Sequence, residues 1–244
     1  MSWRTVLISN RCKLDYSMGY MVIRGEETAR IFIDEIAVLM IENPAVSMTG
    51  CLLSELTEKK VRIIFCDEKR SPYAELQPYS GCHNASLKIR QQMGWTQEQK
   101  TEAWTAIVLE KICNQAKTLV ENGHEGEAAL NYGYGLILSA FNREVTLCGY
   151  LPHIGLCHDN MFNPYNLSCD MMEPFRAIVD RKVIDIAPVE FGKKEKLELL
   201  GILHSPVRIA GAEQTVMNAV KLYSRSVFDA IELSDADRIN FIEL

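Results

Sequence analysis

The first third of the chain alternates short apolar runs with turn residues, at strand length rather than helix length. The runs WRTVLIS (3–9), GYMVIRG (19–25), ARIFID (29–34), IAVLMIE (36–42) and VRIIFCDE (61–68) are rich in Val and Ile and predict an N-terminal β domain. One interruption, Thr49 to Glu58 (TGCLLSELTE), has apolar residues at helical spacing and ends in Lys59-Lys60, which suits a helix C-terminus. A helix there is expected to cover one sheet face.

The stretch Glu68 to Cys82, EKRSPYAELQPYSGC, concentrates Pro72, Pro78, Gly81 and polar residues, and strand-like runs become rare beyond it. This places a domain boundary at 82, with a β domain over 1–82 and a larger, all-helical domain over 83–244. The helical expectation rests on period-3.6 apolar patterning in Ala85 to Met93, Gln97 to Leu119, Gly133 to Cys148, Leu167 to Ile184 and Gln214 to Ile231. The fold class read from this pattern is α+β.

Composition adds a few exclusions. At 48% hydrophobic and 24% charged, the chain is in the globular range. No export signal and no run of about 18 uncharged apolar residues is found, so the expectation is a soluble, cytoplasmic protein without a membrane role. Eight cysteines without a CxxC pair read as reduced thiols. Cys157, His158 and Cys169 lack the paired spacing of structural zinc. The net charge of -6 and pI near 5.5 oppose the usual footprint of a nucleic-acid binder. A local basic strip suffices for phosphate contact, however, and an enzyme that gathers divalent cations concentrates carboxylates. The clusters Lys59-Lys60-Val61-Arg62, Lys69-Arg70 and Lys193-Lys194-Glu195-Lys196 have solvated surface as their default reading.

Of five histidines, His83, His153 and His204 have no acidic pattern around them and read as structural. His158 stands in GLCHDNMFNPYNLSCDMMEPFRAIVDRK, where Asp170 and Glu173 are three residues apart and so share a helix face. A histidine with carboxylates facing it is ligand chemistry for a divalent cation, against the blander reading of a hydrogen-bonded histidine and surface acids. Pro174 predicts a local kink. Glu125, flanked by glycines in NGHEGEAA, is a third acidic candidate whose alternative is a solvated turn. Arg143, Arg176 and Arg181 could grip phosphates, though Asp180 could simply neutralise one of them. Tyr132 and Tyr134 in LNYGYG read either as base-stacking rings or, more ordinarily, as a packing device.

The segments LNYGYGLILSAFNRE (130–144) and GLCHDNMFNPYNLSCDMMEPFR (155–176) closely resemble the CRISPR-associated integrase of spacer acquisition. WRTVLISNRCKLDY and VRIIFCDEKRSP resemble the version found with type II CRISPR systems. The resemblance covers essentially the whole chain. It implies an N-terminal β-sandwich, a helical catalytic domain and a homodimer. That dimer joins a small ferredoxin-like CRISPR-associated partner in a heterohexameric acquisition complex on double-stranded DNA, prespacer and repeat, with other type II CRISPR proteins as further partners. It also implies Mg²⁺ or Mn²⁺ held by Glu125, His158 and Glu173. Beside it, Arg143, Tyr165, Arg176 and Arg181 are expected as DNA contacts on their side-chain chemistry. The implied reaction is attack of a DNA 3′-hydroxyl on a repeat phosphodiester, with a catalytically inactive DNA-binding scaffold as the alternative. One departure stands out: the family pattern continues through a helix and loop after the glycine-flanked Glu, whereas here Leu130 follows Ala129 at once. If that is a true deletion, Glu127 rivals Glu125 as ligand.

Overall fold

The computed structural model describes residues 4–68, 70, 72–76, 82–119, 127–188 and 191–244. The chain divides into two compact units, Met1–Pro78 and Tyr79–Leu244.

The first unit contains two four-stranded sheets. One has the order β1 (Arg4–Ile8), β5 (Ile36–Ile41), β7 (Arg62–Cys66) and β8 (Pro72–Glu75), parallel except for β8. The other has the order β4 (Thr28–Phe32), β3 (Tyr20–Arg24), β2 (Lys13–Ser17) and β6 (Ser47–Met48). Its β2–β3 turn places Met18 and Gly19 both at positive φ, the requirement of a two-residue hairpin that matches strand twist. One core joins the sheets: Val6, Leu39, Ile41 and Ile63 from the first, Leu14 and Met21 from the second, with Leu52 and Leu56 of α1 (Gly50–Glu58). This is the layered arrangement expected from two half-apolar sheets, with α1 packed on the shared core as anticipated. Thr49 caps that helix, accepting from the Leu52 N–H at 3.3 Å.

In the second unit, six helices fall in the five stretches where the periodicity puts them: α2 (Ala85–Met93), α3 (Gln97–Leu119), α4 (Glu127–Leu147), a broken α5 (Asn166–Met172) and α6 (Arg176–Ile186), and a later amphipathic helix (Val216–Leu233). The break between α5 and α6 is a 3-10 turn over Glu173–Phe175 with Pro174 inside it, the expected kink. Between α6 and the last helix lies α7 (Lys193–Leu200), in a stretch whose charged residues had suggested only surface; the last helix is therefore α8. The helical body also carries an addition: a three-stranded antiparallel sheet, β10 (Ala212–Thr215), β9 (Pro206–Ile209) and β11 (Ile242–Glu243). These strands are two to four residues long, too short for a period-2 signal. Among the described residues, no helix is long and apolar enough to cross a membrane.

The LNYGYG element resolves as packing. Tyr132 is buried, and a Cβ on Gly133 would lie 2.4 Å from Val179 Cγ1 of α6. Gly133 therefore lets α4 and α6 approach closely. Tyr134 donates to Asp180 and lies under the Arg176 guanidinium, 4.7 Å from its ring centre. Burial first, then Asp180 beside it, holds the Tyr134 phenol well above its ordinary pKa.

Two stability outcomes follow. Ala is about 1 kcal/mol better than Gly in a helix, but overpacking costs about 1–3 kcal/mol. Gly133→Ala should therefore destabilise by ~1 kcal/mol in thermal unfolding, and the same change should stabilise in a Val179→Ala background. Burial also lowers the His204 pKa, so the unfolded chain takes up that proton more readily. The His204 contribution is present above the unfolded pKa of about 6.5 and is lost as pH falls from there through the lower folded value; His204→Gln should flatten this part of the stability curve.

Candidate active site

A cleft of about 400 Å³ opens in the second unit between α3 and the loop that joins α4 to α5. Gln97, Lys100, Thr101 and Trp104 line it from the helix, and Ile154 to Asp159 from the loop. His158 stands on this wall with 45% of its side chain exposed.

The loop is long and polar, yet buried side chains hold its backbone. Gln92 of α2, buried, donates to the carbonyls of Leu151 at 2.8 Å and Ile154 at 3.0 Å and accepts from the Leu151 N–H at 2.8 Å. Asn166 at the start of α5 donates to the carbonyls of His153 and Asn160, each at 3.0 Å. Asp170, fully buried, accepts from three consecutive backbone N–H groups: Leu156 at 2.6 Å, Cys157 at 3.0 Å and His158 at 3.2 Å. The same carboxylate meets His158 Nδ1. With Nδ1–H donated to Asp170, the imidazole presents its other nitrogen, Nε2, as a lone-pair donor. Trp104 supports the ring edge-on, with centroids 5.9 Å apart.

Gly155 makes this geometry possible. A Cβ there would fall 2.3 Å from the His158 carbonyl oxygen and 2.7 Å from Asp170 Oδ2, so no side chain fits between loop and carboxylate.

Glu173 is also buried, one turn beyond Asp170. Its Oε1 accepts from Arg176 Nε at 3.0 Å, and Lys111 of α3 forms an ion pair with Oε2. The Lys111 contact lacks hydrogen-bond direction, so Oε2 is a buried carboxylate oxygen with bonding capacity left over. Asn114 of α3 fixes the turn by donating to the Pro174 carbonyl at 3.3 Å.

The remaining predicted residues are dispersed. Glu125 lies outside the described residues, and Glu127 opens α4 as an exposed residue. Arg143 bonds Glu144 at 2.8 Å, Tyr165 precedes α5, and Arg176 is shared between Glu173 and the Tyr134 ring. Arg181 lines a separate hollow with Lys182, Asp185 and Glu198. Among the described residues, no group of three or more His, Cys, Asp or Glu side chains is gathered as for a metal. Burial pushes the Cys169 thiol above its ordinary pKa. His158 and Glu173 nevertheless suit a divalent cation, one through a carboxylate-oriented imidazole and the other through a buried carboxylate whose Oε2 meets Lys111 without a directed hydrogen bond.

Sequence reasoning missed Gln92, Asn166, Gly155 and the α3 wall of Lys100 and Trp104. Their roles depend on partners distant in sequence, and only the glycine before LCH was a visible local signal.

The family model of CRISPR associated protein Cas1 matches residues 6–129 and 122–196, two segments that overlap where the glycine-flanked Glu runs directly into α4. The CRISPR-associated endonuclease Cas1 of Neisseria meningitidis serogroup C (strain 8013) is 29% identical over 271 residues, which cover 90% of this chain and 89% of that one. A casposase bound to integration product matches the structure at a TM-score of 0.68 and 14% identity, over 96% of this chain and 92% of that one. A chain of a Cas6-RT-Cas1–Cas2 complex matches at 0.69 and 10% identity, over 97% of this chain and 36% of that one. At these identities the structural likeness concerns the fold; the family model, which spans more than half of the sequence, carries the assignment, and the chain belongs to the CRISPR associated protein Cas1 family.

Proposed function

We propose that this protein is a metal-dependent DNA integrase and endonuclease of type II CRISPR adaptation, which inserts captured DNA fragments into the repeat array. The observation that carries the reading is the Asp170-oriented imidazole of His158 on an open cleft. The endonuclease name of the Neisseria relative and the integration product of the casposase support the same chemistry.

The proposed reaction is transesterification: a DNA 3′-hydroxyl forms the new P–O bond and the old 3′-oxygen leaves. His158, Glu173 and Glu125 would hold Mg²⁺ or Mn²⁺; the mixed N/O set suits Mn²⁺ at least as well. When bound, the cation polarises the phosphoryl oxygen and stabilises the charge that builds up on it. Asp170 fixes the imidazole tautomer and Trp104 its plane, so His158 presents Nε2 to the cleft without reorganising. Arg176 and Lys111 hold the Glu173 carboxylate in place until a cation shares it. Lys100, on the cleft wall, supplies positive charge for the DNA backbone in an otherwise acidic chain. Arg143, Tyr165, Arg176 and Arg181 are proposed as further DNA contacts. The working assembly is a homodimer with a small ferredoxin-like partner; the Cas1–Cas2 complex among the structural neighbours supports a second CRISPR-associated protein in it.

The neutralised state of Glu173 favours a second reading, a DNA-binding scaffold without catalysis. Metal dependence separates the two.

With the small partner, a short duplex bearing free 3′-hydroxyls and a plasmid carrying the repeat, joined products should form with Mn²⁺ and vanish with EDTA. His158→Ala should abolish joining while DNA binding and assembly persist, and loss of its donor to buried Asp170 should lower thermal stability by about 1–3 kcal/mol. Normal joining by that variant overturns the site; DNA binding with no metal-dependent joining by the native protein supports the scaffold. Asp170→Asn keeps the size but puts an amide N–H₂ against backbone donors, so it should cost about 3 kcal/mol and raise the Mn²⁺ concentration needed for half-maximal joining about tenfold to a hundredfold. An unchanged Mn²⁺ dependence would remove Asp170 from its positioning role.

A further inference from the structure

Two residues beyond the cleft wall, the loop turns outward and exposes Met161 and Phe162, each 87% accessible. Two adjacent large apolar side chains held in water are a departure from ordinary surface, where hydrophobic residues occur singly. Nor is the turn slack. Asn160 accepts from the Phe162 N–H at 2.9 Å, the Asn163 N–H donates to the Asn160 carbonyl at 3.0 Å, and Asn163 accepts from the Tyr165 N–H at 2.9 Å. Asn166 ties Asn160 back to His153, on the other side of His158. The pair is thus presented on a braced turn anchored by buried Asn166, which also holds the His153 carbonyl of the loop that carries His158.

Resting on the integrase reading, we infer that Met161 and Phe162 form an apolar wedge that enters the base stack of target DNA beside the attacked phosphodiester. Phe and Met are residue types that proteins insert between base steps, and the insertion unstacks and kinks the duplex. An attacking 3′-hydroxyl must approach in line with the bond it breaks, which a regular stacked duplex obstructs and a kinked step exposes. His158 lies three and four residues from the wedge on the same loop, which carries both the cleft wall and the exposed pair. A single Phe or Met would leave the reading open; the adjacent pair, rigid and next to the cleft, commits it to a base step rather than to the phosphate backbone.

The test uses the protein with its small partner and a repeat duplex carrying 2-aminopurine at the expected junction, read in the His158→Ala background so that no chemistry is required. Binding should raise 2-aminopurine fluorescence, and adding Met161→Ala/Phe162→Ala should remove the rise while DNA remains bound. In the otherwise native protein, the same double change should reduce joining to an intact repeat tenfold to a hundredfold, the scale of one unstacked step. Joining should return to within about threefold on a repeat with two mismatched bases at the junction, where the unstacking is already done, and Phe162→Leu should retain most activity. Equal loss on intact and mismatched targets, or an unchanged fluorescence rise, overturns the wedge. So does loss of the dimer or of partner binding in light scattering, which would make the pair a protein contact. Failure of the native protein to join either target, with the fluorescence rise still dependent on the pair, overturns the integrase reading alone.

Discussion

The second unit depends on a buried negative charge that would be prohibitive without its partners. Asp170 is removed from water completely, and the penalty for that is offset only because four donors converge on it: three successive main-chain N–H groups and one imidazole. The requirement works in both directions. The carboxylate needs the loop to approach within hydrogen-bond distance, and the loop, having no secondary structure of its own, needs the carboxylate to take a single path. Gly155 satisfies the steric side of the same bargain, since the space a methyl would occupy is already filled by backbone and carboxylate oxygens.

How much of this was legible in the sequence depended on whether the partner was local. Residues 85–93 and 97–119 read directly as helices because their apolar stripes are self-contained. The break at Glu173-Pro174-Phe175 was equally plain, because proline acts on its own turn. By contrast, α7 was hidden by KKEKLELL: Lys196 is buried, its ammonium 5.3 Å from the Tyr132 ring centre and 5.6 Å from that of Phe191, so a charged letter occupies a packed position. Strand β2 was missed for a related reason, with Lys13, Asp15 and Ser17 outward and Leu14 alone fully buried; pairing with Arg24 across the hairpin, not hydrophobicity, marks it.

At the candidate site, His158 and Glu173 stood out because they occupy one contiguous segment. Their environments did not. That Asp170 would serve backbone donors twelve to fourteen residues upstream, or that Gln92 would brace a loop 59 residues away, follows only once α2, α3 and α5 are packed together. The negative overall charge was similarly uninformative about the cleft, since Lys100 and Lys111 are set by the face that α3 turns inward, whereas net charge averages over every face.

Strand β5 has a consequence for how the chain comes off the ribosome. Its six residues, Ile36 to Ile41, are all buried, and it is flanked in parallel by β1, paired Ile8 to Ile41, and by β7, which is synthesised later. The hairpins of β2, β3 and β4 close between neighbours and form on the microsecond scale, but β5 must wait for Arg62–Cys66 to emerge before its second edge is covered. Until then IAVLMI is an uncharged, β-prone hexapeptide with an open edge, the profile of an aggregation nucleus. The order of synthesis thus makes the most ordered strand of the first unit its most vulnerable segment during translation.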